Sequence, residues 1–129
     1  MKVMVFGTFD GLHPGHLSYF KQARTYGDYL TVVVALDENV IKHKGRTPKF
    51  SQTRRLRALQ NCELVDEALL GGVRRFDIIA QEKPNVVCLG YDQQTSLTRL
   101  QKLFPDIKIV RLKAYQPEKY KSSLLNFKS

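Results

Sequence analysis

The stretch Tyr29-Leu30-Thr31-Val32-Val33-Val34-Ala35-Leu36 is β-branched and almost wholly apolar, and it restricts the fold more than any other part of the chain. A strand with one wet face alternates apolar and polar residues, whereas a run without alternation must be covered on both faces. Strands of that kind belong to parallel sheets, whose crossover helices lie above and below. The flanking sequence agrees. Lys2–Phe6 reads as a second buried strand, and His16–Tyr26 between the two carries Leu17, Phe20 and Ala23 at helical spacing, stopped by Gly27.

The alternation continues to the end of the chain. Asp37 is placed to cap a short helix over Glu38–Lys42, and Lys44–Phe50 is a polar loop holding Gly45 and Pro48. Ser51 caps a helix to about Asn61 with Leu56 and Leu59 facing inward. Val65–Leu70 is a short strand ended by Gly71-Gly72, and a helix over Val73–Glu82 presents Phe76, Ile79 and Ala80 on one side. Asn85–Leu89 is a buried strand ending in Gly90, Gln94–Phe104 a further helix, and Ile107–Leu112 the last strand. A polar tail follows, with a short closing segment at Ser122–Phe127. The expected fold is α/β: a Rossmann-like, doubly wound, five-stranded parallel sheet with helices on both faces. Residues 1–129 read as one domain. Ligands of such sheets bind beyond the carboxyl ends of the strands. The segments after Phe6, Leu36, Leu89 and Leu112 should therefore share one rim.

Composition narrows the function. Lys and Arg number 21 against 12 Asp and Glu, a net charge of +9, which favours anionic partners. Much of the excess lies in Lys42, Lys44, Arg46, Lys49, Arg54, Arg55 and Arg57. No apolar stretch approaches the ~18 residues of a membrane span, and the start of the chain lacks a signal-peptide pattern, so a cytoplasmic protein is expected. Cys62 and Cys88 stand apart in apolar settings, the pattern of structural thiols in a reducing compartment.

Phe6-Gly7-Thr8-Phe9-Asp10-Gly11-Leu12-His13-Pro14-Gly15-His16 sits where the first strand hands over to the first helix. Backbone amides and the positive helix end converge there on an anion. The spacing of His13 and His16 puts both imidazoles on one face of the first helical turn. Gly15 opens the backbone to a phosphate, and Pro14 suits a position that needs no amide donor. Two ring donors beside helix amides are suited to charge building on a phosphoryl group. Two histidines without a third strong ligand argue against zinc.

Gly7-Thr8-Phe9-Asp10-x-x-His13-x-Gly15-His16 resembles the signature of the cytidylyltransferase-like nucleotidyltransferases, and the resemblance covers nearly the whole chain. That family includes glycerol-3-phosphate and choline-phosphate cytidylyltransferases and archaeal-type FAD synthases. The resemblance implies attack of an acceptor phosphate on a nucleotide α-phosphate, release of pyrophosphate and no covalent enzyme intermediate. It casts His13 and His16 as transition-state stabilisers, and Gly7, Thr8, Phe9, Asp10 and Gly15 as the loop around the phosphates. Lys44, in Lys44-Gly45, matches a lysine that approaches the triphosphate. Arg55, upstream of Val65-Asp66-Glu67, matches a family arginine, with Arg54 as the alternative. Gly90 and Asp92 resemble a nucleotide-contacting Gly-x-Asp element, and Ser122 and Ser123 a pair that holds phosphate oxygens. Mg²⁺ bridging triphosphate oxygens is implied as cofactor, with Asp10 or Asp92 as its possible contact, and so is a homodimer.

Pro14, where the glycerol-3-phosphate enzymes carry a bulky residue, tilts the likeness toward archaeal-type FAD synthases. Lys44-Gly45-Arg46-x-Pro48, Leu89-Gly90-x-Asp92-Gln93 and the Tyr115…Ser122-Ser123 tail tilt it the same way. That resemblance implies ATP and FMN as substrates. CTP with glycerol 3-phosphate or a related acceptor is the alternative. A non-catalytic nucleotide or nucleic-acid binding module is a third reading, but aromatic residues do not interleave with the basic run as a stacking platform requires.

Overall fold

A computed structural model describes residues 1–72, 75–90 and 97–112 of the chain. The order of elements is β1 (Lys2–Gly7), α1 (Pro14–Arg24), β2 (Tyr29–Val34), α2 (Asp37–Lys44), α3 (Gln52–Gln60), β3 (Glu67–Leu70), α4 (Arg75–Glu82), β4 (Val86–Leu89), α5 (Leu97–Leu103) and β5 (Lys108–Arg111). The strands form one five-stranded sheet in the order β3-β2-β1-β4-β5, and every pairing is parallel. β1 is central, with Val5 registered against Val32 on one side and Cys88 on the other. The chain reverses its direction of travel across the sheet between β1 and β4, which is the switch point of a doubly wound fold.

Strand residues alternate between two buried layers. Val3, Val5, Leu30, Val32 and Val34 pack with Phe20 and Ala23 of α1 and Leu59 of α3. Met4, Phe6, Val33, Val87 and Leu89 pack with Ile79 of α4 and Leu100 of α5. Covering both faces is what the unbroken apolar run of β2 requires. The second layer is polar at its amino end: the buried Thr31 hydroxyl donates to Glu67 Oε1 (3.0 Å) and Lys2 Nζ to Glu82 Oε1 (2.8 Å). Strand and helix order therefore match the sequence reading, and the carboxyl ends share one rim.

Four local expectations need correction. Leu17 is 36% exposed, because the inward stripe of α1 runs through His16, Phe20 and Ala23, and Leu17 lies about 100° round from His16. Ala80 is exposed, since Phe76 and Ile79 already fill the inner side of α4. Leu36, not Asp37, stands at the N-cap of α2, and α2 extends through Lys44. The polar loop therefore starts at Gly45, whose φ of +72° supplies the left-handed stop. Finally, β3 begins at Glu67 rather than Val65. Asp66, just before it, accepts from the Leu30 amide (2.8 Å) and from Arg24 (2.8 Å).

Candidate active site

His13 is the N-cap of α1, in extended conformation, and its Nδ1 accepts the Gly15 amide at 3.0 Å. A neutral imidazole that accepts at Nδ1 carries its proton on Nε2. The cap thus fixes the tautomer and makes this exposed ring a donor. The His16 ring stacks on it, with centroids 3.8 Å apart and planes 25° from parallel. The sequence spacing is therefore realised as one paired surface at the positive end of α1.

The glycines of this loop make room for the protein's own rings. A Cβ at Gly15 would meet His13 Cε1 at 2.8 Å, so this glycine admits the imidazole to its capping position. A Cβ at Gly7 would meet Phe9 Cζ at 2.6 Å. Phe9 folds back over Gly7, buried, with its ring 5.2 Å from that of His16 in an edge-on arrangement and 5.3 Å from that of Phe20. To do so it adopts φ +54°, a left-handed backbone that costs of order 1–3 kcal/mol. Burying the ring contributes roughly 1.5–3 kcal/mol, which offsets the strain. The result backs His16 with a fixed aromatic wall.

Asp10 faces the opposite way. Its carboxylate accepts the amides of Lys49 (2.7 Å) and Phe50 (2.9 Å). Desolvation opposes its ionisation, but these two amides, with Arg55 and Lys49 nearby, hold the carboxyl below its ordinary value. Asp10 is therefore a clamp between the motif and the 45–50 segment.

Arg55 is buried, and its guanidinium is committed to protein acceptors: Nε to Phe50 O (3.0 Å), Nη1 to Thr8 O (2.8 Å) and Ala35 O (2.9 Å), and Nη2 to Asp37 Oδ1 (2.6 Å). It joins the motif, the end of β2, the start of α2 and the lead into α3. Arg54 is the exposed member of the pair, with its guanidinium carbon 5.7 Å from the centre of the Phe50 ring. Lys44 is exposed, on the last turn of α2.

At the switch point, Gly7 and Gly90 each lie two residues beyond the paired Val5 and Cys88. The Tyr19 hydroxyl lies 3.4 Å from Phe6 O and 3.2 Å from Cys88 O, bridging the two strand ends beneath the histidines. Sequence reasoning missed Tyr19, although its position three residues after His16 on the same helix was a usable signal. Arg111 Nη1 donates to Gly90 O at 3.1 Å. Asp92, Ser122 and Ser123 lie outside the described residues. Cys62 and Cys88 are unbridged thiols, and burial pushes the Cys88 thiol up to about 12, so it packs as an apolar group.

Among the described residues, no group of three His, Cys, Asp or Glu side chains is placed to hold a metal ion. Asp10 is the described carboxylate on this rim loop. No described helix is long and apolar enough to cross a membrane.

A strand-end loop with a histidine pair at the switch point of a parallel sheet defines a nucleotide-handling α/β protein, and comparison with known proteins agrees. Residues 4–125 match the family described as Cytidylyltransferase-like. The chain is 34% identical to the FAD synthase of Picrophilus torridus over 95% of this chain and 91% of that protein. It is 42% identical to the FAD synthase of Methanoculleus marisnigri over 89% of this chain and 79% of that protein. With the FAD synthase of Methanothrix thermoacetophila identity reaches 48% over 71% of this chain, a match spanning 64% of that protein. A solved structure, described as a lipopolysaccharide core biosynthesis protein from Thermoplasma volcanium, superposes with a TM-score of 0.85 at 36% identity, covering 90% of this chain and 98% of its own. The chain belongs to the cytidylyltransferase-like family of nucleotidyltransferases, and within it resembles the FAD synthases.

Proposed function

We propose that this protein is an FAD synthase, transferring AMP from ATP to the phosphate of FMN with release of pyrophosphate. The observation that carries the reading is the stacked His13–His16 pair at the positive end of α1, at the switch point, in a chain similar to FAD synthases over most of its length. The acceptor phosphate is already an anion, so no general base is required. The enzyme's task is to align two polyphosphates and to neutralise charge as it builds. His13, a donor at Nε2, and His16 face the α-phosphate, and the first amides of α1 support them. Gly7, Thr8, Phe9, Asp10 and Gly15 shape the phosphate loop, and Lys44 supplies a cation to the triphosphate. Arg55 acts as a positioning residue that holds the Thr8 carbonyl and the 45–50 segment. Gly90 and Asp92 hold the nucleotide on the β4 side, and Ser122 and Ser123 contact phosphate oxygens. Mg²⁺ bound to the triphosphate, with Asp10 or Asp92 alongside, would neutralise phosphate charge. A cytoplasmic homodimer of a single catalytic domain completes the reading.

The test is to incubate the protein with Mg²⁺, ATP or CTP, and FMN, glycerol 3-phosphate or phosphocholine, and to identify products by mass. FAD from ATP and FMN is the expected result. A CDP-linked product instead would make this a cytidylyltransferase. Steeply salt-dependent oligonucleotide binding, with no pyrophosphate from any pair, would make it a binding module.

A further inference from the structure

The rim carries a second built feature beside the phosphate loop, with which it shares Phe9 and Arg55. Phe50 is 39% exposed, yet its backbone is gripped from both sides: its amide donates to Asp10 (2.9 Å) and its carbonyl accepts from Arg55 Nε (3.0 Å). The backbone of this exposed aromatic is thereby fixed, and its ring stands at the surface. Beside it opens a cavity of about 290 Å³ lined by Phe9, Gly11, Phe50, Arg54, Arg55 and Ala58. Gly11 and Ala58 are the smallest side chains available, and Gly11 holds φ +99°, which favours glycine there. Arg54 provides a guanidinium plane over the Phe50 ring, able to stack on a second π system.

We infer that this cavity takes the planar tricyclic ring of the acceptor, stacked on Phe50 and Arg54, and so selects a flavin phosphate over a small phosphorylated alcohol. The inference rests on the reading that FMN is the acceptor. Location separates the ring from the nucleotide base, which is also planar. Nucleotides of doubly wound folds lie at the switch point, here between β1 and β4, whereas Arg54 and Ala58 belong to α3, on the β2–β3 side. Reach is adequate: Gly11 precedes His13 by two residues, at most ~7 Å of backbone, a span for a five-carbon chain to cross. Such a chain joins the flavin ring to its phosphate.

The test uses the full chain with two substitutions on opposite walls, Phe50→Ala and Ala58→Trp. One removes the shelf and the other fills the cavity from an exposed helix position, so a folding defect cannot mimic both. FMN fluorescence titrated with protein reads ring stacking without turnover, and steady-state rates read the two substrates separately. Both variants are expected to raise the KM for FMN about ten- to a hundredfold, the usual size of one stacking contact, with the KM for ATP within twofold. FMN quenching should weaken in parallel. If the wild type makes FAD and both variants keep its KM for FMN and its quenching, this inference falls and the proposed function stands. If the KM for ATP rises instead, the cavity holds the base and the inference falls. Where no FAD forms but FMN is quenched by the wild type and not by Phe50→Ala, the flavin site stands and the proposed reaction falls. Absence of both FAD and quenching overturns both.

Discussion

Two loops on the same rim are built in opposite ways. The loop after β1 is filled by its own rings: Phe9 occupies the space over Gly7 and His13 the space over Gly15. The segment after α2 begins at Gly45, where an added Cβ would meet nothing within 4 Å. Arg46 and Lys49 there, and Lys44 just before it, are exposed, and Asp10 and Arg55 hold only its far end. The first loop fixes donors before any substrate arrives, which is what preorganised charge stabilisation demands. The second presents cations on exposed side chains, which suits electrostatic attraction of polyphosphates. Glycine means close packing in one loop and a left-handed stop in the other.

The contrast is open to attack at both ends. His16→Ala is expected to lower turnover about 10²–10³-fold, the scale of one lost oxyanion-type donor, with Tm nearly unchanged. For His13, substitution by Asn separates two roles, since Asn is a good N-cap: the melting temperature should hold while turnover falls by a similar factor. Near-normal rates in either variant would remove the histidines from the chemistry. Arg55→Met strips three carbonyls and Asp37 of their partner, and should destabilise the fold by about 3 kcal/mol, a Tm drop of about 10 °C in a thermal melt.

Gly15→Ala sets two effects against each other. Helix propensity favours Ala by up to ~1 kcal/mol, but the methyl displaces the His13 ring. A turnover loss of about tenfold or more with unchanged or raised Tm is therefore expected, and intact activity would break the account of the first loop. Gly45→Ala meets no neighbour and pays only for its left-handed φ, about 1 kcal/mol, with little change in turnover. Acid acts on the clamp between the loops. Asp10 is depressed in the folded state, so its stabilisation is fully present above the ordinary value of 3.8 and is lost as pH falls below it through the folded value. The protection of the Lys49 and Phe50 amides against exchange, relative to their intrinsic rates at each pH, should fall over that window in the wild type and already be low in Asp10→Ala.

Layer architecture and the alternation of strands with helices were legible because periodicity and β-branched runs report burial directly. The histidine motif was legible because glycine, proline and histidine at those spacings have few other uses. What the sequence concealed was the division of labour between neighbours. Arg54 and Arg55 are alike as letters; helix phase sends one over Phe50 and the other into the interior. Likewise His16, whose ring packs on Phe9, takes the inner stripe of α1 in place of Leu17. Gly15 in sequence suggests an opening for phosphate, but the space it leaves is taken first by His13. Such facts depend on which atoms meet, and one-dimensional spacing does not carry them.

The central place of β1 has a consequence for how the molecule is made. Its partners are β2, close in sequence, and β4, which starts at Val86. Until that distant strand arrives, Val3, Met4 and Val5 present an open apolar edge, the template on which chains pair with one another. Tyr19 likewise has no Cys88 carbonyl to meet until then. Any truncated product ending before β4 should therefore clump rather than persist, and the corner that carries the histidine pair, though encoded first, is among the last parts to close.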